Sequence, residues 1–365
     1  MKSVTFLIKP ASSLCNMRCT YCFYHDVANH RETQCMGIMN EDTARAIIQK
    51  ACDAVEHKGI IQFTFQGGEP TLAGLNFYET WMQIEHEITS DSIQIYHSIQ
   101  TNGLIIDQKW AQFLKQHNFL VGLSLDGPAE FHDVYRITAQ HQPTYTHVLE
   151  TLKLLDLYQL DVNLVSVITK KSVQHPVQIY ETLKNLGNHP LQLIACLDSL
   201  DGQTENSLSA NEYGHFLCQL FDCWLNDFKQ GVYVSVRLFD DVLRMLMGMP
   251  ATNCANRGLC GGYLTIEADG SLYPCDFYVL DDYRIGNIHE LSVTQAFQHD
   301  TYQNFIRQSA IRPQHCKDCT FLRICKGGCR REWINNTNPM CKAYHMFYTH
   351  ALPYFYIIAK QQMSH

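Results

Sequence analysis

The chain has 365 residues, more than one small core requires and enough for two domains. Its formal net charge is −8, and no Lys- or Arg-rich block interleaved with aromatics matches a nucleic-acid backbone. No apolar run approaches the roughly 20 residues of a membrane span. The N-terminal apolar stretch also lacks the long h-region and small-residue cleavage site of a signal peptide. The expectation is therefore a cytoplasmic protein with neither a membrane nor a nucleic-acid partner.

From residue 4 to about 236, short apolar runs alternate with helix-like stretches. Strands are expected over residues 5–8, 60–65, 94–99, 120–125, 162–168 and 191–195. Amphipathic segments over 40–57, 77–88, 108–116 and 145–158 lie between them, and the first opens on an Asn40 cap followed by acids. Such alternation with near-continuous apolar strands argues for an α/β fold, a parallel sheet covered by helices. Six units are too few for an eight-fold barrel, so an open, partial (β/α)6 barrel is expected. After about residue 236 the pattern changes. A helix-like stretch over 239–249 leads to Cys254, a hairpin turning at Asp269-Gly270 is expected over 263–273, and an apolar helix-like tail covers 343–360. The expected domains are residues 1–236 and 237–365.

In parallel α/β folds, ligands gather at the carboxyl ends of strands. Cys15, Cys19 and Cys22 follow the first strand with C-x3-C-x2-C spacing. A 4Fe–4S cluster normally takes four protein thiolates, so a site built with three leaves one iron open to a small molecule. A zinc site lacking a ligand, or three unrelated thiols, are the alternatives on spacing alone. Gln66-Gly67-Gly68-Glu69-Pro70 follows the second strand, where glycines admit close backbone approach and a carboxylate can receive an ammonium group. Thr101-Asn102-Gly103 follows the third strand, Ser124 and Asp126 end the fourth, and Leu197 and Asp198 follow the sixth.

Of sixteen cysteines, eight lie between residues 254 and 341: Cys254, Cys260, Cys275, Cys316, Cys319, Cys325, Cys329 and Cys341. In a reducing cytosol that density points to metal rather than disulfides. Eight thiolates suit two fully ligated clusters, and equally two zinc sites of four cysteines each. No spacing signal ties Cys341 to the other seven. Asp276, directly after Cys275, is either a polar turn residue or a general base fixed beside a cluster ligand.

The N-terminal triplet with its preceding Tyr21, the Gly-Gly-Glu strand end and the distal cysteines together resemble the radical S-adenosylmethionine (SAM) superfamily with a C-terminal SPASM domain. Several strings sharpen the likeness to anaerobic sulfatase-maturating enzymes over nearly the whole chain. They are Ile8-Lys9-Pro10-Ala11-Ser12-Ser13, Cys19-Thr20-Tyr21-Cys22-Phe23-Tyr24-His25, Phe65-Gln66-Gly67-Gly68-Glu69-Pro70, Tyr273-Pro274-Cys275-Asp276-Phe277-Tyr278 and Cys325-Lys326-Gly327-Gly328-Cys329. The resemblance implies SAM and three 4Fe–4S clusters as cofactors. Cys15, Cys19 and Cys22 would hold the first cluster, Cys254, Cys260, Cys275 and Cys329 the second, and Cys316, Cys319, Cys325 and Cys341 the third. It implies Tyr21, Gly68, Glu69, Ser124, Arg136 and Leu197 as SAM contacts, Asp276 as the catalytic base, and Tyr24 and Gln66 facing the substrate.

The implied reaction oxidises a Cys or Ser residue of a sulfatase to Cα-formylglycine. A deoxyadenosyl radical removes hydrogen from Cβ, a base removes the thiol or hydroxyl proton, and an auxiliary cluster takes the second electron. The implied partners are an unfolded or nascent sulfatase polypeptide carrying Cys/Ser-x-Pro/Ala-x-Arg, and an electron donor such as flavodoxin or ferredoxin. The alternatives are another SPASM peptide modifier, such as a thioether-forming maturase, or a noncatalytic iron–sulfur electron carrier. The first commonly carries an N-terminal precursor-binding module, for which Cys15 leaves no room. The second needs neither an open three-thiolate site nor a glycine–glutamate strand end.

Overall fold

The computed structural model describes residues 1–90 and 92–363. In chain order, β1 (Ser3–Ile8) is followed by α1 (Phe23–Asn29) and α2 (Glu41–Ala54), and β2 (Ile60–Phe65) by α3 (Leu75–Ile88). Next come β3 (Gln94–Thr101) with α4 (Gln108–Gln116), then β4 (Leu120–Ser124) with α5 (Ala129–Tyr135) and α6 (Tyr145–Leu157). The alternation ends with β5 (Val162–Ile168) and α7 (Pro176–Lys184), then β6 (Leu191–Ala195) with α8 (Ala210–Lys229) and α9 (Arg237–Leu246). Three short strands follow: β7 (Leu264–Ile266), β8 (Ser271–Tyr273) and β9 (Gly286–Asn287). The remaining helices are α10 (Val293–Gln298), α11 (Asp300–Ala310), α12 (Gln314–Lys317), α13 (Leu322–Cys325) and α14 (Cys341–Gln362).

Local chemistry sets several of these boundaries. Asn40 Oδ1 accepts the Thr43 N–H at 2.8 Å and opens α2, as its sequence signal indicates. Ser209 and Glu212 form a reciprocal capping box that opens α8. The expected hairpin is β7–β8, antiparallel with Thr265 opposite Tyr273, and Gly270 at φ +83° supplies the left-handed turn.

The chain divides into two units of interleaved segments. The first holds Met1–Ser124, Tyr135–Val162 and Gly261–Ile306; the second holds Leu125–Val134, Asn163–Cys260 and the chain from Arg307 onward. These units cut across a division after residue 236. In the first unit β1 pairs in parallel with β2 (Ile8 beside Phe65), β2 with β3 and β3 with β4. On its other edge β1 pairs in parallel with β7, Ile8 beside Ile266. The hairpin that lies among the distal cysteines in sequence thus extends the first unit's sheet. Phe6, Ile8, Ile61, Phe63, Phe65, Ile99 and Ile266 are buried, which explains why these strands read as continuous apolar runs.

In the second unit β5 and β6 pair in parallel, and α14 packs on α8 and α9. Phe221, Phe239, Phe347 and Phe355 build that core, with Phe221 and Phe355 ring centroids 4.8 Å apart. Among the described residues, no helix is long and apolar enough to cross a membrane.

Candidate functional site

The loop after β1 carries Cys15, Cys19 and Cys22. Backbone hydrogen bonds hold it on two sides: Gly68 N–H donates to Ser12 O (2.8 Å) and Glu69 N–H to Leu14 O (2.7 Å), while Arg18 and Thr20 N–H donate to Ile137 O and Tyr135 O. Three N–H groups also point at sulfur. Met17 N–H and Asn102 Nδ2 reach Cys15 Sγ at 3.4 and 3.9 Å, and His25 N–H reaches Cys22 Sγ at 3.5 Å, where Cys22 caps α1. Burial pushes the Cys15 thiol up to about 11, so without a metal it stays protonated. A metal reverses that preference, and N–H groups directed at sulfur suit thiolate ligands.

The glycines of Gly67-Gly68-Glu69 serve this loop directly. A Cβ on Gly68 would overlap the Leu14 carbonyl oxygen. Gly67, at φ +138°, leaves room for Ser12 O (2.9 Å from a Cβ) and for the Lys9 stem (3.3 Å). Glu69 is buried and faces inward. Its carboxylate accepts Thr71 N–H (3.1 Å), Thr71 Oγ1 (2.6 Å), Thr101 Oγ1 (2.7 Å) and Asn102 N–H (2.7 Å). Burial raises its pKa against those four donors. Glu69 therefore ties the end of β2 to the end of β3.

Ser124 closes β4, whereas Arg136 follows α5. The Ser124 hydroxyl accepts Gln100 Nε2 at 3.1 Å. Arg136 is buried, its guanidinium 5.5 Å from the Tyr21 ring centroid. Leu197 follows β6 in the second unit.

Asp276 is buried in a one-turn helix after β8. Lys9 Nζ forms an ion pair with its Oδ1, and Gln66 Nε2 donates to its Oδ2. Lys9 is wholly buried, its ammonium 3.5 Å from the Tyr24 ring centroid. The Tyr24 hydroxyl in turn donates to Glu267, which also accepts Arg31 Nη1 at 2.7 Å. Burial, then the neighbouring Glu267 charge, holds the Tyr24 hydroxyl well above its ordinary pKa. Two buried cations thus balance two buried carboxylates. Sequence reading missed Lys9, Arg31 and Glu267. The available signal was positional: Lys9 and Glu267 are charges placed directly after the apolar strands β1 and β7.

In the second unit, Cys316, Cys319, Cys325 and Cys341 line one cavity. Burial, followed by the three neighbouring thiols, pushes Cys325 up to about 11. A separate cavity is lined by Cys254, Cys260 and Cys329 with Trp333 and Arg312. Cys325 and Cys329 are four residues apart yet serve different cavities. Lys326, Gly327 and Gly328, at φ +54°, +92° and +73°, are left-handed in succession and reverse the chain between them. Asn338 supplies the tie for Cys341 that spacing lacks: its Nδ2 donates to Gly327 O (3.1 Å) and Glu332 (2.8 Å), and its backbone carbonyl accepts Cys341 N–H (3.0 Å). Cys275 lies in the first unit, where the Tyr263 hydroxyl donates to its Sγ at 3.2 Å. Four thiols around one cavity match the donor count of a cubane cluster and of a four-cysteine zinc ion alike.

Comparison with known proteins separates those possibilities. Residues 10–183 match the model of the Radical SAM superfamily, and residues 259–320 match that of SPASM, an iron–sulfur cluster-binding domain. The chain is 40% identical over 369 residues to a cysteine-type anaerobic sulfatase-maturating enzyme of Clostridium novyi, covering 99% of this chain and 98% of that one. It is 27% identical to a serine-type enzyme of Bacteroides thetaiotaomicron, covering 100% and 93%. It also resembles the solved structure of native anSMEcpe with bound AdoMet and Kp18Cys peptide. The TM-score there is 0.93 at 37% identity, covering 98% of this chain and 99% of that one.

Proposed function

The chain belongs to the anaerobic sulfatase-maturating enzymes of the radical SAM superfamily, and from that premise we propose how its residues divide the oxidation of a sulfatase Cys or Ser to Cα-formylglycine. The fold is a partial (β/α)6 barrel of the radical SAM type with a cysteine-rich SPASM domain, and the cofactors are SAM and 4Fe–4S clusters, three in number. Cys15, Cys19 and Cys22 hold the first cluster and leave one iron for SAM. Cys254, Cys260, Cys275 and Cys329 hold the second, and Cys316, Cys319, Cys325 and Cys341 the third. When bound, these groups supply hydrogen-atom abstraction at the substrate Cβ and a sink for the second electron.

The chain's own residues supply binding and proton handling. Tyr21, Gly68, Glu69, Ser124, Arg136 and Leu197 contact SAM, and the Glu69 carboxylate also stiffens the strand ends through Thr101 and Asn102. Asp276 accepts the proton from the substrate thiol or hydroxyl. Gln66 and Tyr24, already in the Asp276 network, border the peptide. The observation that carries this reading is the β1–β7 pairing. It supports the reading because Asp276, 267 residues along the chain from Lys9, meets the strand ends that carry the cysteine loop.

The peptide substrate is an unfolded or nascent sulfatase segment with Cys/Ser-x-Pro/Ala-x-Arg, and the greater likeness to the cysteine-type relative supports Cys as the preferred residue. A flavodoxin or ferredoxin supplies electrons, and the reaction takes place in the cytoplasm. The test is to reconstitute the protein anaerobically and offer paired Cys and Ser peptides of that motif. Aldehyde should form, faster from Cys. Robust SAM cleavage with no oxidation of either peptide rejects the maturase assignment.

A further inference from the structure

Lys9 is an expensive residue to place where it is. A wholly buried ammonium carries a desolvation penalty comparable to what its ion pair returns. An apolar side chain of the same length would fill the space at no such cost. The surroundings are nonetheless built around it. Gly67 lacks the Cβ that would crowd the Lys9 stem, and the Tyr24 ring lies flat beneath the ammonium at 3.5 Å. The Tyr24 hydroxyl is itself held by Glu267 and Arg31. Among the described residues, the partners of the Lys9 ammonium are Asp276 and the Tyr24 ring. Its charge is directed at one carboxylate.

We propose that Lys9 is the positioning residue of the oxidation site, holding one oxygen of Asp276 while Gln66 holds the other, so that the proton acceptor is fixed before the peptide arrives. The two donors come from the ends of adjacent parallel strands, Lys9 after β1 and Gln66 after β2. Each takes one lone pair on its own oxygen and leaves another free for a proton. A carboxylate pinned at both oxygens keeps its plane, and misplacement of a reacting group by about 1 Å costs on the order of 10²-fold in rate. The inference rests on Asp276 being the base.

The experiment compares the holoenzyme with Lys9→Met, Lys9→Gln, Asp276→Asn and the Lys9→Met/Asp276→Asn double variant. Peptide oxidation, 5′-deoxyadenosine formation and iron per chain are measured for each. Lys9→Met should lower kcat for peptide oxidation by about 100-fold while KM, iron content and SAM cleavage stay near wild type. Deoxyadenosine is then made in excess over aldehyde. The double variant should be no slower than Asp276→Asn alone, because a residue acting through another adds nothing once that partner is gone. Wild-type oxidation by Lys9→Met, or a full further loss in the double variant, overturns the proposal. So does loss of iron from both Lys9 variants, which assigns Lys9 to the architecture. Undiminished oxidation by Asp276→Asn rejects the base assignment itself, an outcome distinct from a failure of Lys9.

Discussion

The two cysteine-bearing regions are built on opposite plans. The triplet loop of the first unit hangs from a parallel sheet. Its backbone is pinned by strand ends, its glycines accept neighbouring carbonyls, and its sulfurs receive N–H groups that exist without metal. The cavity of Cys316, Cys319, Cys325 and Cys341 is framed by two four-residue helices, a left-handed turn and an irregular loop tied by Asn338. Ile324 and Met340 are the buried apolar side chains of that segment, so a metal held there would supply much of its folding energy. A sheet can present ligands while the fold stands by itself, whereas a loop-built site would lean on the metal it holds.

Iron removal should break the comparison most visibly. After anaerobic chelation, hydrogen exchange should show residues 312–341 losing most of their protection while β1–β4 keep theirs. Equal loss in both regions would contradict the contrast. Next, Gly68→Ala puts a methyl group into the Leu14 carbonyl and displaces the triplet loop. Iron should fall by about four atoms per chain, one cluster's worth. SAM cleavage should disappear while the auxiliary clusters remain by absorption and EPR.

Asp276→Asn separates proton handling from radical generation. Peptide oxidation should fall by about 10²-fold or more, the usual worth of a general base, with SAM cleavage and iron retained.

The smallest effect concerns Glu332, which accepts Asn338 Nδ2 at 2.8 Å and whose carboxyl is pushed up to about 6 chiefly by burial. The raised value means the folded state binds the proton more tightly than the unfolded chain. Stability is then favoured below the ordinary glutamate range and is lost as pH rises through about 6. Glu332→Gln should therefore stabilise the protein at pH 8 by about 1 kcal/mol and change little at pH 4, read as Tm at both pH values. A gain confined to acid would reverse the assignment.

Much of this was legible before folding. The strand starts, the Asn40 cap and the turn at Gly270 follow from local chemistry, which short windows of sequence record. The glycines of Gly67-Gly68 were also legible as places of close approach, but not what approaches: the partners are Leu14 and Ser12 carbonyls and the Lys9 stem. The pairing of cysteines into cavities was not legible from spacing. A reversal at Lys326–Gly328 and a bridge by Asn338 depend on φ angles and on contacts across the loop.

The sequence by itself determined the chemistry. Three thiols at C-x3-C-x2-C and eight distal cysteines mark metal ligation, because ligand type and short-range spacing are local properties, and the likeness of these strings to known families assigns that metal to iron–sulfur clusters with SAM. Tertiary structure decided which distant side chains meet. Only the parallel docking of β7 beside β1 joins Lys9 to Asp276 and Arg31 to Glu267, pairs separated by 267 and 236 residues. Register between distant strands arises from the packing of whole faces, and no local pattern in the chain carries it.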